Sequence, residues 1–159
     1  MTFTSRQSGV TLIEVLISLL ILGIGVLGAA ALQLNALKYT DSATLNSQAS
    51  FIAYDMMDRI RANPSGNYNI TSISGVSSTT ALTDPRALDL SDFASNITSM
   101  GVTGANGTIN VTNNVAVITI TWNDSRAANA LNANQTTGGV ASNQTFTLTS
   151  RIAGDTVTQ

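Results

Sequence analysis

Glu14 is a carboxylate in a place where charge is costly. From Val15 to Leu37 the chain carries no other charged residue. An ionisable side chain at the centre of a membrane helix costs ~2.5–3.5 kcal/mol on insertion scales, somewhat less near an end, and is usually paired. No base lies within one or two helical turns after Glu14, which directs the pairing to another copy or another subunit. Five residues earlier a polar leader ends at Gly9. A cut after Gly9 would make the amino group of Val10 a positive charge at the same depth as a neighbour's Glu14. The chemistry expected here is ion pairing that rewards staggered side-by-side packing of helices.

Catalytic chemistry has little to work with. The 159 residues contain no His and no Cys, so the usual general base, the usual transition-metal ligand and thiolate sites are missing. The serines have no histidine partner or nucleophile-elbow setting, and there is no glycine-rich phosphate loop. The chain is therefore expected not to be an enzyme and to need no cofactor. Asp84, Asp89, Asp92 and Asp124 invite comparison with a calcium site, but their spacing is unlike an EF-hand loop, and capping or solvent exposure is the simpler role. No metal is expected. Net charge is −2 with seven Lys and Arg placed singly, which offers no surface for a nucleic acid.

The elements that position Glu14 are read from hydropathy. Residues 1–9 are polar with one base, Arg6, and from Val10 the chain turns apolar. Val10 to Leu32 as a helix would measure roughly 35 Å, enough to cross a ~30 Å hydrocarbon core. Arg6 puts the amino terminus on the cytoplasmic side, with the rest of the chain across the membrane. An ordinary anchor, a buried core helix and a secretory signal cleaved near Ala29-Ala30-Ala31 all compete with this reading, and Glu14 weighs against the simple form of each.

The motif Ser8-Gly9-Val10-Thr11-Leu12-Ile13-Glu14-Val15-Leu16 resembles the class III signal of type IV prepilins and type II secretion pseudopilins. The resemblance implies cleavage by a prepilin peptidase between Gly9 and Val10 and N-methylation of Val10. It also implies a role for Glu14 in aligning the incoming subunit. Val10 departs from the Phe or Met usual at that position. The fold implied is α+β and pilin-like: a long N-terminal helix packed against a small antiparallel sheet. The partners implied are other pilin subunits, major and minor, the peptidase and an inner-membrane assembly platform. The location implied is a single pass through the inner membrane with a periplasmic head, then the pilus.

The helical period continues beyond the apolar run. Leu45, Ala49, Ile52, Ala53, Met56 and Ile60 form one stripe. Asp55 and Arg59 stand four apart, Arg59 and Arg61 suit a last turn, and Asn63-Pro64 ends the helix. A helix from Val10 to Ala62 would be roughly 80 Å long. Gly23, Gly25 and Gly28 mark either a weak point or ordinary close packing. The domains expected are a leader at 1–9, the helix at 10–62 with 10–32 in the membrane or filament core, and a head at 63–159.

Within the head, residues 65–83 read as irregular. A short helix is expected at about 90–100, with Leu90, Phe93, Ala94, Ile97 and Met100 on one face, capped by Asp89 or Ser91 and stopped by Gly101. Thr108–Val111 and Val115–Trp122 read as strands around Asn113-Asn114, and Gln144–Ile152 as a third strand. Residues 123–143 read as a long loop, a contact surface or a spacer, with a helical turn at Ala127–Asn132.

Three further segments resemble the PilV group of minor pilins: Ala53-Tyr54-Asp55-Met56-Met57-Asp58-Arg59-Ile60-Arg61-Ala62-Asn63, Gly23-Ile-Gly-Val-Leu-Gly28, and Ile120-Thr121-Trp122. GspI-type pseudopilins share much of the same helix. The resemblance implies a low-abundance subunit that starts or modifies the pilus. A secreted binding protein released by signal cleavage is the reading from outside the family.

Overall fold

A computed structural model describes residues 11–78, 83–124 and 143–152. The leader, Gly9 and Val10, and the expected turn at Ala127–Asn132 lie outside the described residues. The elements are α1 (Leu12–Ala62), a short 3-10 turn (Ile73–Gly75), α2 (Pro85–Ser99), β1 (Asn106–Thr112), β2 (Val115–Asn123) and β3 (Asn143–Arg151). The chain divides into two compact units, the first ending at Leu37 and the second starting at Lys38. The boundary falls inside α1, so the second half of that helix groups with the second unit.

From Leu12 onward the first unit is helical throughout, including Gly23, Gly25 and Gly28. A Cβ at any of these three would meet nothing within 4 Å, so packing inside the chain does not require them to be glycine.

In the second unit, α1 buries Leu45, Ala49, Ala53, Met56, Met57 and Ile60, with Ile52 partly buried beside them. The stripe is the expected one, widened by Met57. These residues form one core with Leu90, Phe93 and Ile97 of α2 and with Ile109, Ala116, Ile118, Ile120 and Trp122 of the sheet. The result is a helix packed on a small antiparallel sheet, an α+β pilin-like arrangement.

The sheet order is β1-β2-β3, antiparallel throughout. β1 and β2 are joined by Asn113 and Asn114, both at positive φ (51° and 61°), the backbone of a two-residue hairpin turn whose twist suits the flanking strands. Strict alternation along β2 buries Ala116, Ile118, Ile120 and Trp122 on one face. On β3, Phe146 and Leu148 lie toward the core, and Thr145, Thr147 and Thr149 are exposed.

α2 starts earlier than the expected 90–100. Asp84 is its N-cap, accepting from Ala87 N–H at 3.3 Å, and Pro85 opens the first turn, where its missing N–H costs nothing. Asp89 and Ser91 are therefore interior residues of the helix and do not cap it. Leu90, Phe93 and Ile97 face the core as expected, and Gly101 (φ 65°) follows the C-terminus. Gly107 is where α2 crosses β1. A Cβ there would sit 2.8 and 2.9 Å from Phe93 ring carbons and clash with Ile97 Cδ1.

Candidate functional site

Thr11 is the first described residue and sets the start of α1. Its carbonyl accepts from Glu14 N–H (3.0 Å) and Val15 N–H (3.3 Å), and its Oγ1 lies 3.4 Å from Glu14 N. Thr11-Leu12-Ile13-Glu14 thus matches the Ser/Thr-x-x-Glu pattern of a helix N-terminus, a signal that attention to the charge alone overlooks. Glu14 sits in the first turn, where the helix dipole favours a negative charge by about 0.3–1 kcal/mol. That is smaller than the ~2.5–3.5 kcal/mol upper cost of placing the carboxylate in hydrocarbon. Local helix structure leaves most of that cost uncompensated, and an external positive charge remains the natural complement.

Around Glu14 the helix is bare. Between Leu12 and Leu37, fifteen large apolar side chains are exposed, from Val15 at 44% to Leu12 at 84%. Burying one such side chain is worth about 1.5–3 kcal/mol, so leaving fifteen in water would exceed the 5–15 kcal/mol by which a folded domain is typically stable. This surface belongs against lipid or against other apolar helices. By length and composition, α1 is able to cross a membrane. Ser18 is compatible with that setting because its hydroxyl donates to Glu14 O at 2.7 Å.

Along the second half of α1 the same device recurs. Thr44 Oγ1 donates to Thr40 O (2.9 Å), Ser47 Oγ to Ala43 O (3.0 Å), Ser50 Oγ to Ser47 O (2.7 Å) and Asn46 Nδ2 to Ser42 O (3.1 Å). Polar side chains are thereby partly satisfied by the helix's own backbone. Phe51 (74%) and Tyr54 (55%) stand exposed on this half.

A second polar cluster gathers at the helix end. Arg59 donates through Nε to Asp55 (2.9 Å) and through Nη1 to Asp89 and Asp92 of α2 (3.0 Å each). Tyr68 O–H donates to the other Asp89 oxygen at 2.8 Å and accepts from Asn63 Nδ2 at 3.3 Å. Burial by itself lowers the Arg59 pKa, but the hydrogen bond to Asp89, the charge of Asp55 and the bonds to Asp92 and Asp55 outweigh it and raise the pKa. The Tyr68 hydroxyl is pushed up to about 12, first by burial and then by its bond to the Asp89 carboxylate. Asp84, Asp89 and Asp92, considered above as cation ligands, thus cap a helix or hold Arg59, while Asp124 is buried just past β2. Among the described residues no group of three or more acidic, His or Cys side chains is arranged to hold a metal.

Two family models match the chain. Residues 4–30 match the prokaryotic N-terminal methylation motif, and residues 31–89 match the type IV pilin Tt1218 model. Together they cover residues 4–89, more than half of the 159. The two matches support a type IV pilin. No curated protein and no solved structure matches it.

The two matches divide the candidate features between them. The methylation motif contains Gly9, Val10, Glu14 and the three glycines. The pilin match contains the core stripe of α1 and most of the Arg59 cluster, ending at Asp89. The three strands lie beyond both matches.

Proposed function

We propose that this pilin is a minor subunit of a type IV pilus, of the PilV kind, that helps start or modify the filament and has no catalytic role. The observation that carries the reading is Glu14, a carboxylate in the first turn of an exposed apolar helix within the matched methylation motif. Prepilin peptidase cuts between Gly9 and Val10 and the new Val10 amine is methylated. That amine pairs with Glu14 of a neighbouring subunit as α1 packs among the helices of major and minor pilins. Before assembly the chain waits in the inner membrane with its head in the periplasm, in contact with the assembly platform. Calcium and other cofactors have no part in this reading.

The experiment is mass spectrometry of the mature N-terminus together with recovery of the chain from sheared pili. N-methylated Val10 and presence in the pilus fraction at low abundance are expected. A chain starting at Leu32 would overturn the reading. Processing at Val10 with recovery only in a secretion apparatus would move the chain to the pseudopilins of type II secretion.

A further inference from the structure

α1 is supported differently along its length. Residues 12–37 carry the exposed apolar surface, and in lipid no water is at hand to replace a broken backbone hydrogen bond, so the helix there stays closed. From Leu45 onward the core holds it through Ala49, Ala53, Met56, Met57 and Ile60, and Arg59 ties its last turns to α2. Residues 38–44 have neither support. None of these seven side chains is buried, and only Lys38 and Ser42 are half-buried.

The same stretch is poor in helix formers. Tyr39, Thr40, Asp41, Ser42 and Thr44 all come from the weaker half of the propensity scale, which leaves Lys38 and Ala43. Its carbonyls are also shared with side chains: Thr44 Oγ1 donates to Thr40 O (2.9 Å), Asn46 Nδ2 to Ser42 O (3.1 Å) and Ser47 Oγ to Ala43 O (3.0 Å). Such back-bonding competes with the N–H groups that close the helix and favours bending. A segment with no buried contacts and water-exposed backbone bonds opens at low free energy.

We propose that residues 38–44 form a yielding joint in α1, which opens locally in water while the helix on either side stays formed. Closed, seven residues span about 10 Å, and drawn out the same seven span about 23 Å, so the joint lengthens by about 13 Å. Water takes up the backbone groups as they are released. The opening costs no core contact, because the buried stripe starts only at Leu45. The joint gives the second unit freedom to tilt and draw away under load before its own packing is challenged.

The chain has no Cys, so nitroxide labels on Gln33→Cys and Gln48→Cys report on the joint in the full chain in detergent micelles. A continuous helix holds these two backbone positions about 22 Å apart. The expected result is a broad distance distribution reaching beyond that value. It should narrow when Thr40→Ala, Ser42→Ala and Thr44→Ala are combined. Amide exchange gives an independent reading. Protection of residues 41–44 is expected to be at least about tenfold below that of residues 53–60, and to rise about tenfold in the triple variant while residues 53–60 are unchanged. A single narrow distance in the unsubstituted chain, or equal protection of the two segments, overturns the proposal. So does a triple variant that opens as readily as the original, which would remove these side chains as the cause.

Discussion

Arg59 and Asp89, thirty residues apart in sequence, meet at 3.0 Å and join the last turns of α1 to α2. Asp55 and Asp92 share the same guanidinium, and Tyr68 occupies the remaining side of Asp89. One cation thus organises three carboxylates and a phenol at the place where the chain leaves the long helix.

Replacing Arg59 with Met should destabilise the fold by about 1–3 kcal/mol, because the half-buried Asp89 loses its charged partner while the apolar stem is kept. Arg59→Lys should recover only part of this, since one ammonium replaces a fork that holds three carboxylates. Denaturant unfolding of the full chain in detergent, read by Trp122 fluorescence, measures both. Equal stability of all three proteins would remove the cluster from the account of the fold.

Tyr68 gives the cluster an alkaline limit. Its folded pKa is raised from the ordinary 10.0 to about 12, so the fold favours the neutral phenol. Its contribution is fully present below pH 10 and is lost as pH rises through about 12. Tyr68→Phe should therefore lower stability at neutral pH, by about 1 kcal/mol for the lost hydrogen bond, and flatten the decline between pH 10 and 12. Melting temperatures across that range provide the check.

Gly107→Ala should destabilise by about 1–3 kcal/mol, since the added methyl meets Phe93 and Ile97 where α2 crosses β1. The same change at Gly75, where a Cβ meets nothing within 4 Å, serves as the control and should cost far less.

Glu14→Ala or Glu14→Val should leave membrane insertion and cleavage largely intact and sharply reduce incorporation into pili. The capping role of Thr11 is backbone-directed and survives both changes. Membrane fractionation, leader processing and the amount of the chain in sheared pili together test this. Normal incorporation would end the ion-pair account of Glu14.

The elements whose signals are local can be read in the amino-acid sequence. The stripe from Leu45 to Ile60, the Asn113-Asn114 turn and the alternation of β3 each need only a period or a turn residue, and all appear in the structure. Asp84 was legible too, as an Asp before Pro, but the apolar period begins only at Leu90 and drew the expected start of α2 too far along. Met57 entered the core because α1 meets both α2 and the sheet, a wider contact than one stripe implies. The partners of Arg59 beyond Asp55, and the need for glycine at 107, arise from contacts distant in sequence and have no local signal. At the candidate site, Glu14 was conspicuous as a charge in an apolar run, and Thr11 was masked by that prominence.

The burial of Leu45, Ala49, Ala53, Met56 and Ile60 along about four turns of one helix has a mechanical meaning. Tension entering the second unit along α1 meets these contacts side by side, so they resist as a group in shear and are not peeled apart singly. Arg61 extends the joint beyond the apolar stripe by donating to Ser150 Oγ at 2.7 Å, which ties the last turn of the helix to β3. The head is fastened along one face of its helix, like a strip glued lengthwise, and the fastening is firmest when the pull follows the helix axis.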